Sequence, residues 1–195
     1  MLLFAHTGIT LGLVYVWDRG LHRPLPPISN NLRGKITGVT RKIDYRLVLI
    51  GSMLPDIIDK PIGHLFFNDT FDNNGRLFAH TLLFFLLLFG YGLFRFLRQG
   101  KNGFLVLAIC SGFHLVLDSM WGNTRTLFWP LKGWGFPESY VVDTMDWLKE
   151  LSEAAQTDPP TYVSEGIGIT ILVIFVYLLW RRKSIGPFIK KGFAG

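Results

Sequence analysis

Cysteine and charge are both scarce in this chain. One cysteine, Cys110, in 195 residues excludes an internal disulfide and argues against a thiolate zinc site. Charged residues make up 17% of the chain, against about 25% in ordinary soluble domains. No internal repeat and no low-complexity tract is present, and the length fits one domain spanning residues 1–195. What fills the chain instead is apolar: 49% of it is hydrophobic, with 17 phenylalanines, and the mean hydropathy is +0.32. The net charge of +6 fits a nucleic-acid binder in principle. Here, however, the basic residues bracket apolar segments, as in a membrane protein, so no nucleic-acid partner is expected.

Five apolar segments follow one another: Leu2 to Trp17, Tyr45 to Leu54, Leu77 to Leu97, Phe104 to Met120 and Ile167 to Trp180. The last extends back to about Tyr162. The third is the best candidate to cross a membrane; the first two are short against the roughly 20 helical residues a span needs. The N-terminus, Met1-Leu-Leu-Phe-Ala-His6, has no basic n-region and reads as a retained helix rather than a cleaved signal. Asp18 to Lys42, with Pro24, Pro26 and Pro27, reads as a basic loop, and Lys60 to Asn74 as a polar one. Within the long loop Trp121 to Thr161, Val141 to Ala155 has apolar residues at helical spacing and is expected to lie along a surface. The expected fold is therefore all-α: a membrane-embedded bundle of about five apolar segments with one amphipathic surface helix.

In a five-segment topology, fifteen of the twenty basic residues fall on one side. The positive-inside rule makes that side cytoplasmic, with the C-terminus inside and the N-terminus outside a cell membrane. The same topology sorts residues that did not enter the count. His6 opens segment one, Asp56 and Asp59 close segment two, His80 opens segment three, and His114 and Asp118 close segment four. All six fall at the outer ends.

Those six residues carry the candidate chemistry. Asp56 and Asp59 are three apart and His114 and Asp118 four apart, so each pair shares a helix face. Histidine and carboxylate on facing helices are how bundles assemble metal sites. Imidazole with carboxylate suits Zn, Mn or Fe, and six ligands allow one or two divalent ions. Each residue also has a structural explanation: Asp56 after Pro55 is placed to cap a helix, Asp118 before Ser119 to end one, and single histidines to bond within a core. Ionisable groups inside membrane segments are nonetheless rare and usually functional. His64, in a Gly-His loop, is a candidate base alongside Asp59. Arg76, four residues before His80, is placed to clamp an anionic group or a lipid phosphate. Cys110 reads as packing, and His22, on the basic side, as unrelated.

Leu54-Pro-Asp-Ile-Ile-Asp59, Arg76 with His80-Thr-Leu82, and His114-Leu-Val-Leu-Asp118 resemble the signature of membrane-bound metal-dependent hydrolases of the YdjM/YbcI-like type. The early His6 and the Phe128-Trp-Pro130 stretch are similar too, so the motif region runs from about residue 6 to 130. The acidic pair departs from the family's usual Asp-Ile-Asp, and Gly75 stands where a histidine often precedes the arginine. The resemblance implies a helical inner-membrane protein whose metal activates water against an ester. Location at the lipid–water boundary adds a phospholipid or other lipid-linked phosphoester as substrate, with membrane lipids as partners. Two other classes fit the same residues: a metal or proton transporter, and a non-catalytic membrane partner protein with a structural metal.

Overall fold

The structure, a computed structural model, describes residues 3–21, 43–71, 74–137 and 156–193, with Met145, Lys149, Ser152 and Glu153 between the last two. Among them are five long helices and no strand. They are α1 (Leu3–Leu21), α2 (Tyr45–Pro61), α4 (Leu82–Gln99), α5 (Gly103–Leu117) and α7 (Pro159–Arg181). Short α3 (Asn68–Phe71), α6 (Thr124–Leu127) and α8 (Ile185–Lys191) fill the connections. The expected surface helix Val141 to Ala155 lies almost wholly outside the described residues, as do His22 and the basic loop that follows it.

Packing runs as a series: α7 on α1, α1 on α2, α2 on α5, and α5 on α4. Glycines set the spacing of the tightest pairs. A Cβ on Gly8 would run into the Gly168 backbone, and one on Gly168 into the Phe4 carbonyl, so α1 and α7 meet backbone to backbone. Glu165 of α7 completes that contact. Its carboxylate accepts from the amides of Phe4 (2.9 Å) and Ala5 (3.0 Å), two of the donors a helix start leaves unsatisfied. Between α2 and α5, a Cβ on Gly51 would come within 2.9 Å of the Cys110 Cβ. Cys110 is buried there and serves as packing. Leu11, Val14, Val48, Val106, Phe175 and Leu179 form the apolar core of the bundle, away from the polar end.

Three boundaries differ from the sequence reading, each for a physical reason. Pro55 does not end segment two; α2 runs through it to Pro61. An internal proline costs one helical hydrogen bond and a clash, about 3 kcal/mol, which the packing of α2 on α5 and the bonds made by Asp59 offset. Segment three starts later than Leu77. The Asp59 carboxylate takes the amides of Leu77, Ala79 and His80, so the helix begins only after Thr81, whose hydroxyl accepts from the Phe84 amide. The loop after Lys60 is largely helical, with a wide turn at Ile62–Phe66 followed by α3. Among the described residues, two helices, α4 and α7, are long and apolar enough to cross a membrane.

A bulky residue at the α1–α7 contact should separate those helices. Gly168→Leu is expected to cost about 1–3 kcal/mol through overpacking, read as a lower thermal midpoint of the detergent-purified protein. Gly166→Leu, at a glycine with open space around it, should melt close to wild type.

Candidate metal centre

The polar end of the bundle is built around Asp59, which is fully buried. Its Oδ2 accepts from the amides of Leu77 (2.8 Å) and His80 (3.0 Å), and its Oδ1 from the Ala79 amide (3.0 Å). The same Oδ2 lies 2.7 Å from His80 Nδ1. An ionised carboxylate only accepts, so His80 carries a proton on Nδ1 and turns Nε2 inward. His114, a turn after Cys110 on α5, is fixed in the same way. Its Nδ1 lies 2.7 Å from the Ser52 carbonyl of α2, which is also an acceptor only.

Both imidazoles therefore point Nε2 at one place, 3.3 Å apart. Asp56 adds Oδ1 there, 3.5 Å from His80 Nε2 and 3.8 Å from His114 Nε2. Four ligands at about 2.0–2.1 Å around a tetrahedral zinc sit roughly 3.3 Å from one another, close to these separations. All three residues are buried, and their ligand atoms form a group that could hold a metal ion. With both Nδ1 atoms committed as donors, the triad presents three acceptors and no donor when both imidazoles are neutral. Such a cluster is repulsive unless a cation, at the least a proton, sits among them.

His6 and Asp118 lie beside the triad. The His6 ring stacks on His114 with centroids 4.1 Å apart. His6 Nε2 is 3.3 Å from Asp118 Oδ1, yet neither ring nitrogen makes a well-formed hydrogen bond. Asp118 follows the C-terminus of α5, and its Oδ2 accepts from Arg76 Nε at 2.7 Å. Asp56 is held in a matching way, its Oδ2 accepting from Lys60 Nζ at 2.8 Å. Each outer carboxylate oxygen thus meets a partly exposed cation, while the other faces histidine. His64 is buried in the wide turn, and a Cβ on Gly75 would lie 2.5 Å from its Nε2. The glycine is what gives this imidazole room. The Phe128-Trp-Pro130 stretch also acquires a structural part: Trp129 packs edge-on against Phe78 at 5.3 Å and closes over the turn that carries His80.

Of the expected ligands, Asp56, His80 and His114 come together as the triad. His6 and Asp118 form an adjoining pair, and Asp59 lies behind His80, on its Nδ1 side. The sequence reading missed two contributors. Lys60 was visible as the i+4 partner of Asp56; the Ser52 carbonyl, a backbone group, leaves no trace in composition or spacing.

The charges are mutually adjusted. Burial works against charge on His80, but the Asp56 and Asp59 carboxylates outweigh it and raise its pKa above the ordinary 6.5. Burial alone would raise Asp118; the His6 imidazole and Arg76 guanidinium outweigh that and hold it well below the usual carboxylate range. Burial and nearby Lys60 lower His64 below 6.5, so it is mostly neutral at pH 7. Where His80 is protonated, an ion entering the triad must displace that proton. Metal affinity should therefore fall as pH drops through and below the raised His80 pKa, with a proton released on binding in that range. Titration calorimetry in buffers of different ionisation enthalpy reads that proton directly. Asp59→Asn, which offers His80 a donor or an acceptor, should weaken metal binding about 10–100-fold while keeping the residue's shape.

No curated protein matches the chain, and no solved structure does. The profile of the YdjM inner membrane protein family matches residues 1–186, a range that holds every residue of the centre and both candidate spans. The chain belongs to the YdjM inner membrane protein family.

Proposed function

We propose that this protein is a membrane-bound metal-dependent hydrolase that cleaves an ester at the outer membrane–water boundary. One observation carries the reading: three buried ligand atoms, Nε2 of His80, Nε2 of His114 and Oδ1 of Asp56, converge at the polar end of an apolar bundle. Asp56, His80 and His114 would hold a divalent ion (Zn, Mn or Fe), and the His6–Asp118 pair a second or shared one. Such an ion supplies acidified water and a Lewis acid for the bond under attack.

The chain's own residues do the rest. Asp59 and the Ser52 carbonyl fix the two imidazole tautomers, as second partners of metal-binding histidines do. Arg76 and Lys60, partly exposed on the Asp118 and Asp56 carboxylates, bring positive charge suited to an anionic ester. His64, neutral and buried beside the centre, is the candidate base that takes a proton from the attacking water, and Arg76 steadies the charge that develops. The products are an acid and an alcohol.

In the proposed topology all five long helices run through the bilayer, with the centre outside and the C-terminus in the cytoplasm. Basic residues support it, since Arg19, Arg46, Arg95, Arg98, Lys101 and Arg181 lie at the end away from the centre. The 15 residues of α5 cover about 22 Å at 1.5 Å each, against a hydrocarbon core of about 30 Å. A centre at its C-terminus would sit in a depression that dips below the outer surface.

Elemental analysis of detergent-purified protein tests this first. Wild type should carry Zn, Mn or Fe in stoichiometric amount, and an Asp56→Ala, His114→Ala double variant should lose it together with esterase or phosphoesterase turnover. Wild type without metal even after incubation with divalent ions would overturn the proposal. Bound metal without turnover of any ester would leave a structural or transported ion in its place.

A further inference from the structure

On the outside of α5, across the helix from the centre, lies a groove that the chemistry described so far does not use. Ile109, Gly112, Phe113 and Val116 line it from α5. They recur at i, i+3, i+4 and i+7, a single stripe on the side of the helix away from His114. Leu82 and Phe85 of α4 form the opposite wall, and Trp121 stands at the end reached just after Asp118. The volume is about 400 Å³ and the lining almost entirely carbon, within the range of small-molecule sites. Gly112 opens it, because a Cβ there would come within 2.8 Å of the Phe85 ring.

We infer that this groove holds one hydrocarbon chain of an anionic phospholipid whose phosphate is presented to Arg76 at the metal centre. The substrate class rests on the hydrolase reading; the lipid site does not. Three observations fix the occupant. The groove is walled by the first turn of α4, a candidate span almost none of which is buried within the protein, so in the proposed topology what reaches the groove sideways is lipid. Its mouth is exposed and apolar, with Val116 at 55% and Trp121 at 61% exposure, and an indole suits the level of lipid headgroups. That same end adjoins the turn that carries Asp118, where the half-exposed Arg76 guanidinium is bound and Lys60 lies on neighbouring Asp56. An apolar slot that ends at cations matches an amphiphile with a negative head. A neutral lipid would bring no further charge partner to those cations, and free phosphate would leave the slot empty.

The test uses the full-length protein in nanodiscs with phosphatidic acid that bears a diazirine midway along a sixteen-carbon chain. Irradiation and peptide mapping should place adducts on Leu82 to Phe85 and Ile109 to Trp121. Val116→Trp, which fills the slot from an exposed position, should reduce those adducts several-fold while keeping the wild-type metal content. Arg76→Gln should reduce labelling by phosphatidic acid more than labelling by the phosphatidylcholine of the same chain. Inorganic phosphate should not displace the groove adducts. Adducts spread evenly over the lipid-facing surfaces of α4 and α7, or unchanged by Val116→Trp, would overturn the inference. Groove labelling with no hydrolysis of any ester would retain the lipid site and remove the hydrolase. Turnover of a soluble phosphomonoester without selective labelling would do the reverse.

Discussion

A single buried carboxylate holds the polar end of this protein in shape. Asp59 has no contact with water and takes three backbone amides and one imidazole. Those amides belong to the turn before α4, so the bond set decides where that helix starts. The imidazole belongs to His80, so the same bond set decides which of its nitrogens faces Asp56 and His114. Remove the carboxylate and the turn loses its anchor while the histidine loses its tautomer. Such a buried charge survives only because every one of its partners is a donor.

The rest of the bundle brings partners to that point from separate directions. α2 contributes Asp56 and the Ser52 carbonyl, α5 contributes His114, and α1 contributes His6. The glycine contact between α1 and α7, with Glu165 on the first amides of α1, fixes how far His6 reaches. Apolar packing therefore sets the geometry of the polar centre, and the centre in turn ties α1, α2 and α5 to the turn that precedes α4. The two demands meet at the same end of the molecule.

Much of this was legible in the sequence. Helical spacing and the ends of apolar runs grouped His6, Asp56, Asp59, His80, His114 and Asp118 before any geometry was known, because an ionisable residue at the edge of an apolar run is seldom accidental. Boundaries were harder to read. Pro55 looks like a helix end from local chemistry alone, yet α2 continues because packing and the Asp59 bonds outweigh a missing amide. Leu77 to Thr81 looks like the start of a span, yet a carboxylate eighteen residues earlier in the chain withdraws its amides from helix formation. The division of labour between Asp56 and Asp59 was equally hidden. It depends on which side of His80 each carboxylate reaches, and residue spacing does not encode that.

X-ray absorption at the edge of the bound metal tests the central claim most directly. After loading with zinc, the wild-type spectrum should show two imidazole nitrogens and at least one carboxylate oxygen at about 2.0–2.1 Å. His80→Ala should remove one imidazole contribution. A spectrum with oxygen ligands only, or one unchanged in His80→Ala, would mean that the converging histidines do not hold the ion, and the account built on them would fail.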